Sequence, residues 1–239
     1  MNVVIGGNSG IGAAVVELLA GSTLVVDRTG TDVACDITDR ASVDAVAALV
    51  QQGGGLDALI VTAGVSPSMG DARTILNVDL FGMVNVLEAF EPLAREGSVA
   101  VCVASIAGHV MDWPAETLDL LDTATDLDAL TALAENSSMA YVLAKTGVIR
   151  QVRRRAKAWG SRGARIVSVS PGVTDTPMGR AEMAADNGTD LMAAASALGR
   201  QAEPEELASV IAFLASPGAS YITGTDLLVD GGSLAGFGR

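Results

Sequence analysis

The chain has 239 residues, 49% hydrophobic but only 3% aromatic, and a formal net charge of −13 at neutral pH. That length suits one large α/β domain or two small ones, and the aliphatic composition suits a sheet covered by Ala-rich helices. The charge argues against a phosphate-backbone partner, no apolar run reaches the ~18 residues of a membrane span, and no charged leader precedes the first strand-like run.

Strand-like and helix-like periodicities alternate along the whole chain. They predict a buried strand at residues 2–6, a helix at 11–20, strands at 23–27 and 33–35, a helix at 41–51 and a strand at 58–62. A long helix at 75–94, a strand at 98–104, a second long helix at 138–159 and a strand at 165–170 follow. A helix at 203–215, with Pro204 in its first turn, and a strand at 227–229 close the series. The alternation predicts an α/β fold: a Rossmann-type, doubly wound parallel sheet with helices on both faces, in three layers. No linker or repeat divides it, so residues 1–239 read as a single domain. Cys35 and Cys102 fall in apolar strand-like runs, which predicts two buried, reduced thiols and a cytoplasmic protein. Neither has a partner at ligand spacing, so no metal site is expected.

Two stretches break the rhythm. Residues 109–136 intersperse Glu116, Asp119, Asp122, Asp126, Asp128 and Glu135 with Leu and Ala, and read as one or two short amphipathic helices inserted before the second long helix. Residues 177–202 contain Met178, Gly179, Met183, Gly188, Met192 and Gly199 and follow a strand's carboxyl end, where open α/β sheets bind ligands. They read as a mobile substrate lid or as an ordinary surface helix.

Four groups of residues carry chemistry. Gly6-Gly7-Asn8-Ser9-Gly10-Ile11-Gly12 joins the first strand to the first helix. Gly6 permits the sharp turn, Gly10 lets the backbone approach a pyrophosphate, and the helix N-terminus offers amide groups to phosphate. Asp27 ends the second strand, 21 residues after Gly6. Its carboxylate can accept both ribose hydroxyls of an adenosine and repels a 2′-phosphate, which favours NAD over NADP, although Arg28 beside it is basic. Asp36-Ile37 follows the third strand; Asp36 either meets the adenine amino group or caps the next helix, a role for which Asp39 competes. Tyr141 and Lys145, four apart on a helix, share one face, and a cation there favours a phenolate.

In this order the motifs resemble the short-chain dehydrogenase/reductase family over essentially the full length. Ala63-Gly64 resembles the end of the family's Asn-Asn-Ala-Gly motif, with Val61-Thr62 in place of the two Asn. Ala104-Ser105-Ile106-Ala107-Gly108 is similar to the segment of the catalytic Ser, and Pro171-Gly172-Val173-Thr174-Asp175-Thr176 to the segment that holds the nicotinamide. Tyr221-Ile222-Thr223-Gly224 and Asp230-Gly231-Gly232 resemble the carboxyl-terminal signature. Within the family the chain is most like the bacterial 3-alpha-hydroxysteroid dehydrogenase/carbonyl reductase group, with its long insertion before the Tyr: Ser105 precedes Tyr141 by 36 positions rather than about a dozen.

The resemblance implies reversible hydride transfer between NAD and a secondary alcohol, a hydroxysteroid or another bulky apolar or aromatic one. It implies Tyr141 as general acid/base, Lys145 as the group that lowers the Tyr pKa and holds the nicotinamide ribose, and Ser105 as hydrogen-bond donor to the substrate oxygen. It places Gly6, Ser9, Gly10, Ile11, Asp27, Arg28, Asp36, Ile37, Ala63, Gly64, Pro171, Gly172, Val173 and Thr176, with Tyr141 and Lys145, at the cofactor. Ser105 also reads as a strand-end turn residue and Thr176 as a helix N-cap. One position departs from the family. Asp79 stands where a catalytic Asn is expected, and Asn77 lies half a turn away. Asp79 is expected to serve the proton relay with shifted pKa values; a register change that brings in Asn77, or weakened catalysis and a non-catalytic NAD-binding sensor or scaffold, are the alternatives.

His109, the only histidine, either contacts substrate or begins the insertion, and the structural role is preferred. The run Arg150, Arg153, Arg154, Arg155 and Lys157 reads as a solvated helix face or as a dock for the acidic insertion. The insertion obstructs the family's usual tetramer surface, so a homodimer through residues 202–232 is expected, with a tetramer possible and no nucleic-acid or membrane partner.

Overall fold

The computed structural model describes residues 1–239 except 32, 186–188, 237 and 239, so Gly188 lies outside the described residues. Among the described residues, seven parallel strands form one sheet in the order β3-β2-β1-β4-β5-β6-β7. They are β1 (Asn2–Ile5), β2 (Thr23–Asp27), β3 (Val33–Ala34), β4 (Ala58–Val61), β5 (Val99–Val103), β6 (Arg165–Pro171) and β7 (Asp226–Val229). The central strands β1, β4 and β5 are buried along their whole length, as continuous apolar runs covered on both faces should be. Strand order reverses at β1, between β2 and β4, which opens a crevice at the carboxyl ends of β1 and β4.

Alternate residues of the strands feed two cores. Val4, Ile60, Val101 and Val169 pack with Val15 of α1 (Gly10–Leu18) and with Leu207 and Ile211 of α10 (Pro204–Ala215). Val3, Ile5, Leu59 and Ile166 face Val43 of α2 (Arg40–Gln52), Leu87 and Phe90 of α4 (Met83–Phe90), and Val148 and Trp159 of α7 (Ser137–Gly160). The three-layer arrangement is the expected one.

The stretch predicted as one helix over 75–94 is segmented. Asp71 caps α3 (Ala72–Leu76) by accepting from the Thr74 N–H, so helix begins earlier than the apolar period suggests. A π-helical turn, Asn77–Gly82, then leads into α4, and a 3₁₀ turn, Glu91–Leu93, ends the run. π turns are rare and concentrate at functional sites; this one carries Asp79.

The insertion folds into two helices, α5 (Ala115–Thr123) and α6 (Leu127–Leu133). Their Leu121 and Leu130 join Ile75, Leu80 and Leu143 in a third apolar cluster against α3 and α7. Asp122 accepts two bonds from Arg150, each 2.6 Å, and one from Arg154 at 3.3 Å. The basic run is therefore divided: Arg150 and Arg154 dock the insertion, Arg155 faces Glu88 of α4 and Glu91 of the 3₁₀ turn after it, and Arg153 and Lys157 are exposed. Residues 177–202 hold α8 (Pro177–Ala184) and α9 (Thr189–Ala194). Both cysteines are free and buried, and burial pushes the Cys102 thiol up to about 12. Among the described residues no helix is long and apolar enough to cross a membrane, and no metal-binding cluster forms.

Candidate active site

A cleft of about 940 Å³ opens at the carboxyl ends of the strands. All the residues assigned above to the cofactor line it, from Gly6, Ser9, Gly10 and Ile11 through Asp27, Arg28, Asp36, Ile37, Ala63 and Gly64 to Pro171, Gly172, Val173 and Thr176. Ser105, Tyr141 and Lys145 line it as well, whereas Asp79 is buried beside them.

At one end the glycine turn delivers the N-terminus of α1. Gly10 sits at φ +52, and a Cβ there would come within 3.2 Å of the Thr176 Cγ2. Ser9 makes no side-chain cap, so the first-turn N–H groups are left to an anion. The Asp27 carboxylate is fixed by the Asn8 N–H at 3.2 Å and the Arg28 N–H at 2.7 Å. A carboxylate has about four acceptor sites, so capacity remains for ribose hydroxyls. Asp36 does not cap α2; Asp39 does, accepting from the Ala41 N–H. The Asp36 Oδ1 instead accepts from the Thr38 hydroxyl and N–H at 2.7 and 2.9 Å. Those bonds, helped by the Arg28 charge, hold its carboxyl below the ordinary value. These features fit a dinucleotide: uncapped amides for its phosphates, no Cβ at Gly10, and a fixed carboxylate where its ribose would lie.

At the other end, Ser105 follows β5 and Tyr141 and Lys145 lie one turn apart on α7. The Ser105 side chain neighbours the Tyr141 phenol and draws its pKa downward. The Lys145 Nζ stands 5.3 Å from the Tyr141 ring centroid and 3.0 Å from the Asp79 Oδ2. The Asp79 Oδ1 accepts from the Val65 N–H at 2.7 Å. A Cβ at Gly64 would come within 3.2 Å of the Asp79 Oδ1 and 3.4 Å of the Lys145 Nζ, so the missing side chain makes room for the pair. Asn77 lines the cleft, but Asp79 meets the lysine.

Burial sets the electrostatics. It pushes the Asp79 carboxyl above its ordinary value, against the pull of Lys145 and the Val65 N–H. It opposes the charge on Lys145 too, but Asp79 and Tyr141 outweigh it and hold that group above its ordinary value. The Tyr141 phenol is also raised, chiefly by burial. Lys145 and Ser105 pull it down, while Asp79 and Glu182 push it up. The cation's pull on Tyr141 is present but does not prevail over burial.

The alternative local roles coexist with the cleft positions. The Ser105 Oγ accepts from the Ala107 N–H at 3.1 Å, and the Thr176 Oγ1 caps α8 through the Gly179 N–H at 2.9 Å. His109 is not among the cleft-lining residues. Its Nε2 lies 2.8 Å from the Asp226 Oδ2 and 3.2 Å from the Ser170 Oγ, tying the start of the insertion to β6 and β7. Met178 and Met192 line the cleft, whereas Met183 receives a bond from Gln201 and Leu191 is exposed. Sequence reasoning missed Glu182, which lines the cleft from α8 and accepts from the Ser68 N–H at 2.9 Å and from the Ser68 hydroxyl. Those partners are 114 positions apart, and no local pattern joins them.

The comparisons with known proteins span the chain. A family model described as enoyl-(acyl carrier protein) reductase matches residues 12–118 and 124–233. The 3-alpha-hydroxysteroid dehydrogenase/carbonyl reductase of Comamonas testosteroni is 33% identical over 96% of this chain and 95% of its own. The cis-4-hydroxycyclohexanecarboxylate dehydrogenase of Sinomonas cyclohexanicum is 33% identical over 98% and 96%. The crystal structure of the 3-alpha-hydroxysteroid dehydrogenase from Pseudomonas sp. B-0831, complexed with NADH, superposes with a TM-score of 0.87 at 31% identity, covering 98% of this chain and 97% of that one. By matched length, identity and sheet architecture, the chain belongs to the short-chain dehydrogenase/reductase family of nicotinamide-dependent oxidoreductases.

Proposed function

We propose that the protein is an NAD-dependent dehydrogenase/reductase that interconverts a secondary alcohol and its ketone, with a hydroxysteroid or another bulky apolar or aromatic alcohol as substrate. The observation that carries this reading is the Ser105–Tyr141 hydroxyl pair in the cleft wall, with the Lys145 ammonium beneath the Tyr ring. When bound, the nicotinamide cofactor supplies the hydride in reduction and accepts it in oxidation. Tyr141 gives its phenolic proton to the carbonyl oxygen in reduction and takes the hydroxyl proton in oxidation. Ser105 donates a hydrogen bond to the same oxygen and stabilises the negative charge that develops there. Lys145 favours the phenolate electrostatically, and Asp79 fixes Lys145 by ion pairing.

Pro171, Gly172, Val173 and Thr176 form the wall for the nicotinamide end, while Asp27, Asp36 and Ile37 serve the adenosine end. Asp27 supports NAD: its fixed charge repels a 2′-phosphate, and the neighbouring Arg28 charge acts on Asp36. Met69, Val110, Val142, Met178 and Met192 support an apolar substrate, because Met adapts to varied shapes. Residues 177–202 act as its lid, and 109–136 as a helical insertion within one domain of residues 1–239. The buried thiols fit a cytoplasmic protein. The exposed Phe213, Tyr221 and Leu227 beside the edge strand β7 support a homodimer through residues 202–232, which light scattering tests; a monomer refutes it.

A second reading, a non-catalytic NAD-binding sensor or scaffold, is favoured by one observation: the Asp79 charge pairs with the lysine that should favour the phenolate. Formation of NADH with a panel of 3-hydroxysteroids and cyclic and aromatic secondary alcohols separates the two. Turnover with NAD and little with NADP supports the enzyme; tight NAD binding with no turnover supports the sensor.

A further inference from the structure

Ser105 and the nicotinamide wall come from different elements, and one residue outside the cleft touches the supports of both. The Ser105 segment continues as a 3₁₀ turn, Ile106–His109, that ends on the only histidine. From there the His109 Nε2 reaches the Asp226 Oδ2 at 2.8 Å, at the start of β7, and the Ser170 Oγ at 3.2 Å. Ser170 is fully buried and directly precedes Pro171 and Gly172 of the wall. A carboxylate only accepts, so the imidazole donates from Nε2. The Asp226 side chain is 1% exposed, and among the described residues its Oδ1 has no hydrogen-bond partner. A buried carboxylate is tolerated only when paired or hydrogen-bonded, so its bond to the imidazole constrains strongly where His109 lies. The same turn is also fixed by close packing. A Cβ at Gly108 would come within 3.0 Å of the Lys145 carbonyl group, so the turn lies directly on α7.

We propose that His109 is a positioning residue: by bonding Asp226 and Ser170 it holds Ser105 in register with the nicotinamide wall, while lining no part of the cleft itself. This rests on the reading of the cleft as a dehydrogenase site. Ser105 must donate to the oxygen of the same carbon that exchanges hydride with the cofactor, so the two segments have to agree in place. A displacement of about 1 Å in such a constellation costs on the order of 100-fold in rate.

The test removes the tie without leaving a lone buried charge. His109→Ala/Asp226→Asn abolishes it, whereas His109→Gln/Asp226→Asn keeps a neutral hydrogen bond, because the Gln amide nitrogen has about the reach of the imidazole Nε2. With NAD and the best alcohol, kcat should fall about 10–100-fold in the Ala pair and by no more than about threefold in the Gln pair, with NADH affinity little changed in both. The deuterium isotope effect on kcat, with the alcohol labelled at its reacting carbon, should be at least the wild-type value, since the step that slows is the chemistry. In a Ser105→Ala background the Ala pair should cost much less than beside the intact serine, because no hydroxyl is left to misplace. Ser170→Ala deletes a single bond; it should give a smaller loss of the same kind, and it carries the test if melting curves show that the Ala pair does not fold. An unchanged kcat, equal losses in the Ala and Gln pairs, a reduced isotope effect, or full additivity with Ser105→Ala overturns the inference while the enzyme reading stands. A wild type that oxidises no alcohol overturns the enzyme reading and this inference with it.

Discussion

Replacing Asp79 by Asn removes one charge from the buried pair while keeping a carbonyl oxygen for the Val65 N–H. At 3.0 Å and an effective dielectric near 20, the gross attraction to Lys145 is about 5–6 kcal/mol. Desolvation of both groups offsets much of it, and removing one partner of a buried pair costs about 3–5 kcal/mol. The amide oxygen still solvates the ammonium, so a loss near 3 kcal/mol is expected, or a fall in Tm of roughly 6–12 °C for a chain of this size. The pH–rate profile moves with a definite sign. Oxidation needs the phenolate, and Asp79 is one of the groups raising the Tyr141 phenol. Without that charge the phenol ionises more readily, so the rising limb for alcohol oxidation shifts to lower pH. At a fixed pH on that limb the variant gains up to about tenfold for each unit of displacement. Stopped-time assays of NADH formation across a pH series, paired with thermal melts, measure both effects. An unchanged profile, rate and Tm would show that Asp79 has no part in the relay, and a shift to higher pH would refute the electrostatics.

Asp27→Ala removes the acceptor for the adenosine ribose and the charge opposing a 2′-phosphate. The KM for NAD should rise about 10–100-fold, from the loss of hydrogen bonds to a charged group, while the KM for NADP falls; steady-state kinetics with both cofactors give the ratio. Arg150→Ala removes two 2.6 Å bonds to Asp122 from side chains that are only 27% and 13% exposed. It should lower stability by about 1.5–3 kcal/mol and speed amide exchange in residues 115–133, with less than tenfold loss of activity.

The sheet could be read in advance because its central strands are short apolar runs between helix-period segments, and residues 58–62 or 98–104 fit no other element. Residues 75–94 show where periodicity fails. Over six residues, a π turn and an α turn present nearly the same apolar pattern, so the break at Asn77–Gly82 left no trace in the spacing of Ile75, Leu76, Leu80 and Val84. The Asp71 cap is legible as an Asp three residues before Thr74, but the apolar spacing begins later and draws the expected helix start to residue 75. In the site, Tyr141 and Lys145 were found because four-residue spacing on a helix is local. The place of Asp79 beside the relay follows from the family resemblance, but the Val65 N–H that steadies it does not. Glu182 resembles an ordinary acidic residue on a short helix, and only the fold brings Ser68 to it. The docking of Arg150 and Arg154 on Asp122 was anticipated as one of two options, because an acidic insertion directly before a basic helix has a nearby partner of opposite sign.

Tyr141→Phe keeps the ring beside Lys145 and deletes only the phenolic hydroxyl. With NAD and the best secondary alcohol, kcat/KM should fall by about 10²–10⁴-fold, the size of a lost general base. NADH binding, followed by fluorescence, should change by no more than a few-fold. Oxidation at near wild-type rates in that variant would contradict the assignment of Tyr141 as the proton-transferring group.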